Sequence, residues 1–111
     1  MAIVHIYTGD DGRSHIEELS NVIPPFGTPE RDRTQPATGI AFLRRDRDTF
    51  PGFHNTPRRQ YIFVLTGSLE FEVADGDKRT LGSGEVILVE DVTGEGHITR
   101  GVADTAFVHL A

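Results

Sequence analysis

From residue 37 onward the chain is a series of short runs rich in Val, Ile, Phe, Tyr and Thr, each closed within a few residues by a turn signal. This spacing leaves no room for an amphipathic helix of useful length. Strand signals fall at 39–45, 58–66, 68–74, 78–81, 85–90, 97–102 and 105–110. Thr66-Gly67 reads as a tight turn between two of them, and Asp75-Gly76-Asp77 reads as a hairpin. The 12 glycines in 111 residues suit such a fold, because glycine supplies the turn conformations that other residues resist. An all-β domain is therefore expected, an antiparallel barrel or sandwich.

The first 36 residues differ from the rest. Residues 3–7 read as an edge strand, and 14–19 as one helical turn with Ser14 as its cap and Glu17 at the capping-box position. Pro24, Pro25, Gly27, Pro29 and Pro36 then interrupt any regular element. Residues 1–36 are thus expected to form an arm laid over the domain or over a partner subunit, and 37–111 to form the barrel.

Charge and composition exclude several functions. A net charge of −6 argues against nucleic acid or an anionic membrane as the main partner, since both require clustered positive charge. No run approaches the roughly 20 apolar residues of a membrane span, and the opening residues carry no basic leader, so a cytoplasmic location is expected. With no cysteine, disulfides, thiolate metal sites and thiol nucleophiles are all absent. No glycine-rich phosphate loop opens a helix, and no serine sits in a nucleophile elbow.

Strand alternation sorts the polar residues by face. Arg58, Gln60, Ile62 and Val64 share one face of their strand, with Arg59, Tyr61, Phe63 and Leu65 on the other. Both faces are rich in apolar residues, so cover on both sides is expected. His97 and Thr99 point together, opposite Ile98 and Arg100. The mixed-sign run 44–48 reads as a solvated strand end. His5, His15 and His109 have no spacing that ties them to the others.

Two segments carry a resemblance. Residues 51–67, PGFHNTPRRQYIFVLTG, resemble the first motif of the cupin superfamily: two histidines two residues apart, a glutamate, then six residues and a glycine. His54 stands at the first histidine, Thr56 at the second, Gln60 at the glutamate and Gly67 at the glycine. Residues 82–97, GSGEVILVEDVTGEGH, resemble the second motif, with Gly84 and His97 at its glycine and histidine. The resemblance implies a cupin-type barrel, a double-stranded β-helix or jelly roll, with a polar pocket inside it.

It also implies a site in which His54, Gln60 and His97 hold a divalent metal such as iron, manganese, zinc or nickel. Two imidazoles, an amide and a hydroxyl are a poor donor set, because the carboxylate that would hold a dication is missing. In the metal-dependent reading the protein is an isomerase, lyase or dioxygenase acting on a small polar or acidic metabolite. Arg58 then anchors an acidic group, and His97 and Thr99 complete the candidate catalytic set. Glu90, Asp91 and Glu95 flank His97, and one of them could orient its imidazole. The alternative is a metal-free module that binds or senses a small polar ligand or sugar acid. An acid–base enzyme using His54 or His97 lies between the two. Small cupins commonly pair through edge strands, so a homodimer is expected.

Overall fold

The computed structural model describes residues 2–46 and 52–111. The elements run β1 (Ile3–Thr8), β2 (Ser14–Leu19), one short helical turn α1 (Glu30–Arg33), β3 (Ala37–Arg45), β4 (Gln60–Val73), β5 (Lys78–Gly82), β6 (Val86–Val89) and β7 (His97–Leu110). They form one sheet ordered β2-β1-β6-β4-β7-β3, with β5 paired to β4 off this path. The pairs are antiparallel except β1 with β6. The sheet is not closed, so the protein is a mostly β domain with β2 and β3 at the ends of its path. No helix among the described residues is long and apolar enough to cross a membrane.

Four expectations about local structure change. Residues 14–19 form a strand and not a helical turn. Its residues pair along the whole of β1, with Ile6 opposite Ile16, and the Ser14 hydroxyl donates to Asp91 across the fold instead of capping a helix. As a result β1 lies between β2 and β6, and the edge passes to β2. Thr66-Gly67 does not end a strand, since β4 continues through it beside β7. The gap expected between 102 and 105 is likewise filled, and β7 runs unbroken.

What bends these long strands is a bulge. The register of β4 against β7 shifts between Val64 and Thr66, and one extra residue in a strand reverses the parity of its faces. Gln60, Ile62 and Val64 are buried before the bulge, and Leu69, Phe71 and Val73 after it. Gly67 follows at φ 78°, where an added Cβ would lie 2.2 Å from the Val102 carbonyl oxygen. Only glycine tolerates both that dihedral and that approach.

The core lies on the inner face. Ile6, Phe71, Val73, Leu81 and Ile87 are fully buried, and Val64 and Val89 nearly so. The outer face of β4 is only partly covered: Tyr61 and Phe63 are half-buried and Leu65 is exposed. Near this face the Tyr61 hydroxyl meets the Gln35 side-chain oxygen at 2.9 Å, which ties down the end of the arm. Of the run 44–48, Arg47 and Asp48 lie outside the described residues, as does Pro51 of the first motif.

Candidate functional site

The inner row of β7 is His97, Thr99, Gly101, Ala103, Thr105, Phe107 and His109, because an unbroken strand keeps one parity throughout. Cross-strand pairing sets Gln60 opposite His109, Ile62 opposite Phe107 and Val64 opposite Thr105. From β3, Ala41 falls opposite Phe107 and Leu43 opposite Thr105. The segment before β4 closes the other side. Its His54 exchanges both backbone hydrogen bonds with His97, each at 2.9 Å. Gly96 makes this docking possible, for a Cβ there would lie 2.2 Å from the His54 carbonyl oxygen.

These elements enclose an open cavity of about 740 Å3. Every candidate residue lines it: His54, Thr56, Arg58, Gln60, His97 and Thr99. Thr56, Gln60 and His97 are buried at the floor, whereas His54 and Arg58 are exposed at the rim. Arg44, from the run 44–48, lines it as well.

Hydrogen bonding fixes the floor. His97 Nδ1 lies 2.6 Å from Asp91 Oδ2, and the Ser14 hydroxyl donates to the same oxygen at 2.6 Å. A carboxylate only accepts, so Nδ1 carries the proton and Nε2 is left as the second ring nitrogen. Asp91 is wholly buried. Of the three acids around His97, it is therefore the one that orients the imidazole. Glu90 instead pairs with Arg59 and His5, and Glu95 lies near Arg13. Burial opposes the charge of Glu90, but the hydrogen bonds from Arg59 and His5 outweigh it and hold its carboxyl below the ordinary value. The Gln60 amide nitrogen donates to the Thr56 hydroxyl at 3.2 Å, and that hydroxyl donates to the Arg58 carbonyl at 2.7 Å. The rings of His54 and His97 are 4.8 Å apart between centroids.

At the rim the arginines differ. Arg44 is committed to Asp104 at 2.7 Å, an ion pair that holds the Asp104 carboxyl below its ordinary value. One Arg45 nitrogen donates to the Thr99 carbonyl at 2.7 Å. Arg58 meets no carboxylate among the described residues. Its Nη1 lies 3.2 and 3.3 Å from the two ring nitrogens of His109.

His109 is thus a cavity residue that the sequence reading left without a role. The signal was present: His109 has the parity of His97, but that only matters once β7 is read as one strand.

The donor set fits a resident dication poorly. Thr56 is spent on the Arg58 carbonyl, and the remaining donors are two imidazoles and one amide oxygen, with no anionic ligand among them. Asp91 stands behind His97, not beside it. Among the described residues, no group of three or more His, Asp or Glu side chains is placed to hold a metal ion.

No family model matches the chain, and no curated protein matches it either. Among solved structures it is similar to the crystal structure of protein NMB1881 from Neisseria meningitidis. The TM-score is 0.53 at 20% identity, over 65% of this chain and 72% of that one. At that identity the likeness is one of fold.

Proposed function

We propose that the chain is a small cupin whose cavity binds a small organic anion and moves a proton on it without a resident metal, in the manner of an isomerase or lyase. The observation that carries this reading is the buried Asp91–His97 pair at 2.6 Å on the cavity floor. A carboxylate on Nδ1 fixes the tautomer and stabilises the imidazolium that forms when Nε2 takes a proton. In this reading Nε2 takes a proton from the carbon beside a carbonyl, and the electron pair moves onto the carbonyl oxygen. His54, whose ring neighbours that of His97, is the group available to return a proton. Arg58 holds the acidic group of the ligand, and Thr99 offers a hydroxyl on the same wall. Convergence of His54, Gln60 and His97 on one cavity supports the cupin assignment. The bend of β4 at its bulge supplies curvature of the kind a barrel needs. The assembly in this reading is a cytoplasmic homodimer.

The test is deuterium exchange at C3, the carbon beside the keto group, of 2-oxobutanoate and phenylpyruvate in D2O, followed by proton NMR. Exchange above background with the wild-type chain, lost in His97→Gln and indifferent to chelator, is expected. Exchange that survives in His97→Gln would sink the reading.

A second reading has one observation in its favour. A carboxylate hydrogen-bonded to the second nitrogen of an imidazole is also how ligating histidines are oriented. A divalent ion would then rest on His54, Gln60 and His97. Elemental analysis of the purified chain after supply of iron, manganese, zinc and nickel decides between the two. Near-stoichiometric metal that disappears in His54→Ala favours this second reading.

A further inference from the structure

The cavity resting on that reading has a wall and rim whose chemistry narrows the ligand further. At the floor, Ile62, Leu69 and Val89 are buried apolar side chains, and Phe107 continues the surface toward the opening. Two of the hydroxyls beside them, those of Thr56 and Thr105, are already satisfied within the protein. The Thr56 hydroxyl both donates to the Arg58 carbonyl and accepts from the Gln60 amide. The Thr105 hydroxyl donates to the Leu43 carbonyl at 2.8 Å. A polyol placed here would lose water from several hydroxyls and regain few partners, and each unsatisfied group costs about 1–3 kcal/mol. The rim is the opposite. Among the described lining residues it carries Arg44, Arg45 and Arg58, with Asp46 as the one carboxylate, and Arg44 is paired with Asp104. Of these, Arg58 alone leans on a ring instead of pairing with a carboxylate or a carbonyl.

We infer that the ligand is a small carboxylic acid with an apolar body, its carboxylate on Arg58 at the rim and its hydrocarbon part against Ile62, Leu69, Val89 and Phe107. A sugar acid matches the rim but not the wall. A neutral apolar molecule matches the wall but leaves the guanidinium unused. At about 740 Å3 the cavity is within the usual range for sites that enclose small molecules. Arg58 is well suited to the anchoring role because displacing it from His109 breaks no ion pair, while a carboxylate can accept two parallel hydrogen bonds from it.

Isothermal titration with three probes tests this: 3-phenylpropanoate, its neutral amide 3-phenylpropanamide, and gluconate. Wild-type protein is expected to bind the carboxylate about 10–100-fold more tightly than the amide, the range that a hydrogen-bonded charge supplies. Gluconate is expected to give no measurable heat at the same concentrations. In Arg58→Gln the acid and the amide should bind alike, at the wild-type affinity of the amide, which also reports that the variant is folded. Gluconate binding as well as 3-phenylpropanoate, equal affinity for acid and amide in the wild type, or no binding of any probe would each overturn the inference. Running both assays on the wild-type protein separates this from the proton-transfer reading. Retained acid-over-amide preference in a wild-type protein that shows no exchange would sink that reading and leave the ligand class standing. Exchange without the preference would do the reverse.

Discussion

At the scale of single residues the site depends on Asp91. Two donors, Ser14 and His97, converge on its Oδ2, while its Oδ1 has no partner among the described residues. Keeping a charge in a fully buried place with half of its acceptor capacity unused is costly, so the two bonds it does make should be strong. Removing one of them should show plainly. Ser14→Ala is expected to lower stability by about 1.5–3 kcal/mol, the range for a hydrogen bond to a charged group, measured by urea unfolding. A loss under about 0.5 kcal/mol, ordinary for a surface change, would mean that the Ser14–Asp91 hydrogen bond does not hold the site together. The sequence placed Asp91 among three candidates but could not choose between them. The choice depends on Ser14, which is far away along the chain and reaches Asp91 only because β2 pairs with β1.

At the scale of elements, much of the strand content was legible because 61–65 and 86–89 are short continuous runs of β-branched, aromatic and aliphatic residues bounded by turn signals. The continuity of the strands was not. Thr66-Gly67 has the composition of a turn, yet it sits inside β4, where the glycine serves a bulge against β7. Local composition cannot distinguish the two, since both require a residue with positive φ. A separate break, expected at 103–104 in β7, hid the shared parity of His97 and His109, and with it part of the rim. The segment 14–19 misled for a different reason: its serine and glutamate satisfy a capping pattern, yet Ser14 donates across the fold to Asp91 and Glu17 meets His5 on the paired strand. Gly96 belongs at this scale too, because it sets how the loop carrying His54 meets the start of β7. A side chain there would collide with the His54 backbone, and the residue also holds φ 79°. Gly96→Ala should therefore detach that loop while the rest of the sheet stays folded. The expected result is loss of amide protection confined to 52–56 in hydrogen exchange, with little change across β4 and β5. Unchanged protection at His54 would show that the docking is not needed to hold the loop.

At the scale of the whole molecule, the open sheet leaves surface that a lone chain does not cover. β3 ends the sheet, and its face away from Ala41 and Leu43 carries Ile40 and Phe42, which are 61% and 71% exposed. The preceding arm adds Ile23 and a wholly exposed Phe26. An unpaired edge next to exposed aromatic side chains invites pairing with another strand. In the homodimer proposed above the occupant is a second copy, and a two-fold arrangement would cover the arm and the face of both chains with the same contacts. A large aromatic side chain brings roughly 150–250 Å2 to such a contact. Phe26 and Phe42, together with Ile23, Ile40 and the half-buried Tyr61 and Phe63, would form the apolar centre of such an interface, whose polar rim would bring it toward the roughly 800 Å2 per chain that a stable one requires. Sedimentation velocity is expected to give a species of twice the chain mass, and Phe42→Asp is expected to give a single chain, because it sets a charge at the middle of the apolar contact. Wild-type protein that sediments as a single chain at every concentration would remove the dimer. A dimer that persists in Phe42→Asp would move its interface away from β3. Because β3 also lines the cavity through Ala41, Leu43 and Arg45, dissociation by Phe42→Asp should weaken binding of 3-phenylpropanoate as well, if the second copy steadies that wall. Unchanged binding in the single chain would show that each cavity is complete by itself.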